Sequence, residues 1–215
     1  SDEVDGLDMT WGDENTILTL IDNITRREGF GDLLADGVKT AAEHIGRGSE
    51  ELAMHSKGLE VFQADPRAVK AYALANAVAS RGADHLRAEP WFEFSGDAEE
   101  GIRRYGIPET AFRLEYKGKG LVVKHFEELA AISDATGFCK NTYNNMEVLN
   151  WDETADLRNA VTGWDLCGEE VRRIGERIVN LERAFIAREG ITRADDSLPR
   201  RFLEEPIGPP TSPSA

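Results

Sequence analysis

Apolar residues recur at spacings of three and four through most of the chain, the mark of helices that bury one face. Ile17, Leu18, Ile21 and Ile24 form a first stripe. Asp13 can cap it, and acidic Glu14 falls in the first turn, where the helix dipole favours it. Gly29-Phe30-Gly31 closes this helix. Leu34, Val38, Ala41 and Ile45 mark a second, which stops at Gly46. Asp65-Pro66 reads as an N-cap followed by proline at the first helical position. The alanine-rich helix it opens runs through Val69, Tyr72 and Val78 to Ser80. A fourth run, from Val122 to Ser133, leads into Asp134-Ala135-Thr136-Gly137-Phe138-Cys139-Lys140, with Gly137 as its natural stop. The last stripe is the cleanest: Val171, Ile174, Ile178, Leu181 and Phe185, ending at Gly190. Alternating patterns are short, and Met54 to Glu60 reads as a loop or strand-like piece. The expected fold class is all-α, a multihelical array.

Composition narrows the function classes. The 215 residues suffice for one large domain or two small ones, and 40% hydrophobic content supports a core. A net charge of −15, from 40 acidic against 25 basic residues, argues against a nucleic-acid partner, whose phosphates need a basic surface. No apolar run approaches the ~20 residues of a membrane span, and no signal peptide is visible. Two cysteines, Cys139 and Cys167, make no disulfide framework, so a reducing, cytoplasmic setting is the simpler expectation. The chain divides into a first helical part, 1–88, and a charged, turn-rich stretch, 89–120, expected as a variable insertion. A second helical part, 121–205, carries the D-x-x-G-x-C segment. A Pro-, Ser- and Gly-rich tail, 206–215, is expected to be disordered.

Candidate chemistry concentrates in two places. In the 134–140 segment, Asp134 is a carboxylate able to grip a flat, guanidine-like N–H edge with paired hydrogen bonds. Cys139 is a thiol of the kind that ligates iron–sulfur clusters. Lys140 places a positive charge beside that thiolate, which lowers its pKa. The plain alternative is a helix end with a small buried Cys. In the 80–88 segment, His85 is flanked by Asp84, Arg81 and Arg87. A histidine near its ordinary pKa suits proton transfer or hydrogen bonding to a metal-bound oxygen. Its alternative is a surface histidine satisfied by Asp84. Arginine forks suit phosphate or carbonyl oxygens. His55, Lys57 and Glu60 are polar groups for a pocket or a solvated loop. Pro90-Trp91-Phe92-Glu93-Phe94 walls a channel or fills core. Cys167 reads as a structural thiol and His44 as a surface histidine.

These segments fall in a recognisable order. Met54-His55-Ser56-Lys57-Gly58-Leu59-Glu60 precedes Asp65-Pro66-Arg67, then Ser80-Arg81-Gly82-Ala83-Asp84-His85-Leu86-Arg87-Ala88. After the 134–140 segment come Thr162-Gly163-Trp164, the 175–183 stretch, Arg188-Glu189-Gly190-Ile191-Thr192-Arg193 and Asp195-Asp196-Ser197-Leu198-Pro199. Together they resemble the C-terminal helical domains of the aldehyde:ferredoxin oxidoreductase family of tungsten-pterin enzymes, over roughly residues 11 to 206. The resemblance implies a tungsten ion held by two pterin dithiolenes (a tungsten bis-pterin) and a [4Fe-4S] cluster nearby. Cys139 matches the fourth cluster ligand; the other three come from a C-x-x-C-x-x-x-C run ahead of this chain. Asp134 matches the carboxylate on the pterin edge, with Phe138 and Lys140 beside it. Arg81 and Arg87 match pterin contacts, and His85 matches the histidine beside the tungsten.

The implied partners are the remainder of the enzyme, with its N-terminal pterin-binding domain, and ferredoxin or another electron-transfer subunit. The implied activity converts an aldehyde and water to a carboxylic acid, with the isolated chain inactive. Two alternatives stand beside it: the tungsten subunit of a benzoyl-CoA reductase, and a non-catalytic helical partner that has lost the metal site. Three departures from the family pattern are visible. Glu3 replaces the leading Asp of an early loop-like stretch, so Gly6 to Asp13 reads as the G-L-x-x-x-W-G-D segment that follows the first pterin loop. Ala64 stands where some members have a substrate-facing tyrosine. The residues three before His44, His55, His85 and His125 are Ala41, Leu52, Gly82 and Val122, so no E-x-x-H iron ligand pair is present.

Overall fold

The structure, a computed structural model, describes residues 4–62, 65–145 and 147–207. Glu3, Ala64 and the tail beyond 207 lie outside the described residues. The helices are α1 (Glu14–Arg26), α2 (Phe30–Leu34), α3 (Gly37–Ile45), α4 (Lys70–Val78), α5 (Phe92–Ser95), α6 (Ala98–Tyr105), α7 (Lys119–Thr136), α8 (Trp151–Thr162), α9 (Gly168–Arg188) and α10 (Arg200–Glu204). Among the described residues the only sheet is one hairpin, β1 (His55–Ser56) against β2 (Leu59–Glu60), with His55 opposite Glu60. The fold is all-α, as the periodicity predicts. No described helix is long and apolar enough to cross a membrane.

α7 is the axis of the array. Its buried face presents Val122, Val123, Phe126, Leu129 and Ile132 to Ala71 and Ala75 of α4, Val171 of α9, Ala155 of α8 and Tyr143. Burying each large apolar side chain contributes about 1.5–3 kcal/mol. α9 lies against α7 closely enough that a Cβ on Gly175 would sit 2.5 Å from the Glu128 carbonyl oxygen. Gly137 ends α7 in the left-handed region, as expected, but three residues later than the apolar run implies, so Asp134 belongs to the last helical turn.

Several boundaries differ from the pattern for local reasons. Asp13 does cap α1, accepting from the Asn15 N–H at 3.1 Å. The helix stops at Arg27 in a left-handed conformation, before Gly29. The expected second helix is split into α2 and α3 around Ala35 and Asp36. Asp65 caps only a short 3-10 turn, Pro66–Ala68, because Val69 turns extended. α4 then starts at Lys70, with the buried Glu93 carboxylate accepting from the Ala71 N–H at 2.8 Å. Glu93 also pairs with Lys119, both side chains almost wholly buried. Burial pushes the Glu93 carboxyl up, while Lys119 and the helix N–H groups oppose it. The stretch 89–120, expected as an insertion, therefore supplies a cap to α4 and also places Phe92 and Ala111 in the shared core.

Lys57 and Glu60 tie the hairpin to the rest of the fold. Lys57 turns inward at 3% exposure and pairs with Asp196 at 3.0 Å; Arg183 reaches the same carboxylate at 2.6 Å. Burial opposes the Asp196 charge, but hydrogen bonds from Arg183 and Lys57 hold its carboxyl below the ordinary range. Glu60 accepts from the Val38 N–H at the start of α3, at 2.8 Å. His55 Nδ1 faces the Gly58 N–H inside the turn. The expected packing stripe of α9 is buried only in its first half: Val171 is inaccessible, whereas Leu181 is 72% and Phe185 55% exposed.

Candidate functional site

The short turn His85–Arg87, capped by Asp84, has a different environment on each side. Asp84 accepts from the Leu86 N–H at 3.0 Å and also binds Arg81 Nε. It is therefore committed to the turn and to Arg81, and is not the partner of His85.

On the α7 side lies an open cleft of about 570 Å³, lined by Arg81, Leu86, Arg87, Asp134, Lys140 and Glu182 among others. Arg87 donates to Asp134 Oδ2 at 3.0 Å and approaches Glu182 at 3.3 Å. Lys140 donates to the same Asp134 oxygen at 2.9 Å, with Nζ also 2.9 Å from Oδ1, and to the Leu86 carbonyl at 2.6 Å. Ser80 holds the other Glu182 oxygen at 2.7 Å. Asp134 keeps 42% of its side chain exposed, so its outer edge is open to a further donor. Arg87 Nε has no hydrogen-bond partner among the described residues. The cleft lining carries three cations and two carboxylates, and Asp84 beside it pairs Arg81, so the charges balance on a strongly acidic chain.

Cys139 is exposed and follows at the end of α7, just before a π-helical turn, Asn141–Asn145. Its thiol is held below the ordinary range by the backbone N–H of Thr142, then that of Asn141. The expected cause, Lys140, is not the one found, because its ammonium points to Asp134 and Leu86. Phe138 is also placed differently from its neighbours. Its ring packs on the core, 5.1 Å from the Tyr143 ring, with Arg158 over it at 5.9 Å. Any contact it makes with a group in the cleft would pass through its backbone.

On the other side of the turn, His85 stacks on Phe62 with ring centroids 4.1 Å apart. It lines a narrower pocket of about 260 Å³ with Tyr72, Asn76, Glu89, Trp91 and Phe94. The structure thus gathers Arg81, Arg87, Asp134 and Lys140 into one cleft and sets His85 in a separate, mostly apolar pocket. Sequence reasoning missed Glu182, which reads there as an outward position of α9, and Asn76, a lone amide in an alanine-rich helix. α8 was also missed, although Asn150 and Glu153 form the capping box that announces it.

Chemically, an exposed, acidified thiol suits a thiolate metal ligand. A carboxylate flanked by two cations suits a flat N–H edge that carries anionic groups. The donor set at this end of α7 therefore fits a pterin edge and one cluster bond. The class the fold defines is a multihelical domain whose central helix ends in a charged cleft, with an exposed thiol in the segment that follows. The family profile described as "Aldehyde ferredoxin oxidoreductase, domains 2 & 3" matches residues 1–215. The chain belongs to that family. It is 36% identical over 206 residues to a "Tungsten-containing aldehyde ferredoxin oxidoreductase" of Pyrococcus furiosus, covering 92% of this chain and 31% of the relative. A protein of the same description from Thermococcus kodakarensis is 34% identical over the same shares. The chain spans about a third of the length of these curated relatives. Among solved structures, the "Active site complex BamBC of Benzoyl Coenzyme A reductase in complex with 1,5 Dienoyl-CoA" shares the fold with a TM-score of 0.67 and 21% identity. That match covers 96% of this chain and 35% of the other.

Proposed function

We propose that this chain is the portion of a larger, cytoplasmic tungsten oxidoreductase that closes one side of its pterin and iron–sulfur centre. The observation that carries this reading is the convergence of Arg87, Asp134, Lys140 and Cys139 at one end of α7, in a chain matched along its whole length by the family. Asp134 binds the N–H edge of the pterin through its open side, with Arg87 and Lys140 fixing the carboxylate in place. Arg81 lies at the edge of the cleft for anionic oxygens of the same group. Cys139 provides one of the roughly four thiolates a [4Fe-4S] cluster takes; the other three come from outside this chain. When bound, the tungsten–pterin group would supply the redox chemistry for converting an aldehyde and water to a carboxylic acid, and the cluster would serve as the electron outlet toward a partner such as ferredoxin. His85 holds and transfers a proton at its imidazole, next to the reacting carbonyl, with the Phe62 ring fixing its plane. The fold likeness to the benzoyl-CoA reductase complex keeps reduction of an aromatic thioester as the second reading.

The test is to purify the complete protein and measure tungsten, iron and aldehyde-dependent reduction of a low-potential acceptor dye. Tungsten with about four irons per chain and turnover of an aldehyde supports the reading. Dye-linked reduction or oxidation of aromatic thioesters alone moves it to the second, and protein free of tungsten and iron rejects both.

A further inference from the structure

The His85 pocket carries two polar groups that the fold does not explain. Asn76 is only 1% exposed, and neither Oδ1 nor Nδ2 has a hydrogen-bond partner among the described residues. Glu89 is 7% exposed, and its Oε2 is likewise unpartnered among them. Buried polar side chains are satisfied in the great majority of cases, so two orphans on residues that line one cavity call for a partner there. Both line the same 260 Å³ pocket. Tyr72 and Pro66 share their depth, whereas Trp91 and Phe94 are 43% and 49% exposed. The buried groups therefore form the floor and the half-open aromatic rings the rim, with His85 between.

The walls select a flat, apolar body. Phe62 stacks on His85 with the ring planes 25° apart, and Trp91 and Phe94 pack together with ring centroids 5.1 Å apart. Aromatic walls of this kind favour another ring, offset-stacked or edge-on. The volume lies below the ~300–1,000 Å³ of drug-sized sites, which leaves room for one substituted ring. The floor selects a substituent. The unpartnered Glu89 oxygen and the Asn76 carbonyl both require a donor, while the Asn76 N–H2 group requires an acceptor. A ring hydroxyl meets two of these three needs at once: it donates to Glu89 and accepts from the Asn76 N–H2 group. A ring carboxylate could only accept from the Asn76 N–H2 group and, having no proton to donate, would set its oxygens against the Glu89 carboxylate.

We propose that this pocket binds a neutral aromatic carbonyl compound bearing a ring hydroxyl, which seats on Glu89 and Asn76 and leaves the carbonyl at the His85 level. This rests on the reading that His85 serves the reacting carbonyl, and it names the substrate class for that reading: a hydroxylated aromatic aldehyde rather than a small aliphatic one.

The experiment measures binding by calorimetry to the complete protein, using the unreactive probes 4-hydroxybenzamide and benzamide. Wild type should bind 4-hydroxybenzamide at least about tenfold more tightly, the worth of a hydrogen bond to a charged group. Asn76→Leu and Glu89→Gln should each erase most of that preference while keeping benzamide affinity. Trp91→Ala should weaken both probes equally. Circular dichroism checks the fold of each variant, and the two-probe comparison on wild type stands even where a variant fails to fold. Equal affinity for the two probes, or binding of neither, would mean that the polar floor holds only solvent and overturns the proposal. The readout needs no metal. Hydroxyl preference in a protein lacking tungsten would reject the oxidoreductase reading alone, and tungsten without probe binding would reject the pocket alone.

Discussion

Toward α7, the turn carrying His85 and Arg87 meets Asp134, Lys140 and Glu182, joined by ion pairs of 2.9–3.3 Å. Toward the aromatic segment it meets Phe62, Trp91 and Phe94, and its histidine engages only a ring face among the contacts described. Two residues apart in sequence, His85 and Arg87 work in opposite media. One side is open, charged and already paired within the chain. The other is narrow and apolar, with its polar atoms left over. The difference separates two tasks. The charged cleft can hold a large polar group through preset partners. The pocket can recognise a small molecule only by what the chain leaves unsatisfied.

The strongest way to break this division is on the charged side. Cys139→Ala removes one proposed cluster thiolate, so iron content of the complete protein should collapse from about four per chain, with electron transfer lost. Probe binding in the aromatic pocket should stay at the wild-type value. A full iron complement in Cys139→Ala would remove the cluster role from this residue.

His85→Asn tests the other side. The asparagine keeps hydrogen-bonding capacity but cannot carry a proton near neutral pH. Turnover should fall ~10²–10⁴-fold, the usual worth of a positioned acid–base group, while tungsten and iron stay bound. Metal analysis and steady-state rates on the same preparation check both halves. Unchanged turnover would reduce His85 to a wall of the pocket.

Arg87→Met sharpens the boundary between the two sides. It removes the bond to Asp134 and leaves Glu182 with Ser80 alone. A lost charge-assisted bond is worth about 1.5–3 kcal/mol, so retained pterin should drop roughly ten- to a hundredfold in affinity. Quantifying released pterin after gel filtration reads this out. An equal loss of benzamide affinity would show that the two sides are not separate.

The same comparison explains what the sequence makes legible. The charged side is visible in one dimension, because Arg81, Arg87, Asp134, Lys140 and Cys139 sit in short segments that carry the resemblance to the family. Helical period finds α1, α7 and α9 for a similar reason: it is a local property of the chain. Which face is covered is not local. Ile17, Leu18 and Ile21 on α1 follow the period faithfully, yet each is more than half exposed, as are Leu181 and Phe185 on α9. Phe138 lies between two site residues and still turns into the core, because the left-handed Gly137 rotates the chain there. The aromatic pocket is half legible: Trp91 and Phe94 lie in the segment that reads as channel wall or core, but Asn76 and Glu89 become meaningful only once packing strips them of water and partners.

The effect furthest from the proposed chemistry concerns Glu127, on the face of α7 that continues the charged cleft toward Arg183 and Asp196. Burial pushes its carboxyl up to about 7; neighbouring Glu128 and Glu182 add to the rise, and Arg183 and Lys124 oppose it. A raised folded-state pKa means that the native protein holds a proton the unfolded chain has released. Its contribution is complete below about 4.5 and is lost as pH climbs to about 7. At ~1.4 kcal/mol per unit, that loss is at most about 3 kcal/mol. His55, whose pKa burial lowers, changes stability in the opposite sense near the top of this window. The difference between wild type and Glu127→Gln therefore isolates the carboxyl, since the amide cannot ionise. Thermal midpoints measured from pH 4.5 to 7 should fall for wild type relative to the variant. The gap at pH 7 should be up to about 6–12 °C, at ~2–4 °C per kcal/mol for a chain of this size. Parallel curves would place Glu127 in water, and the charged cleft would then end at Glu182 instead of running on beneath α9.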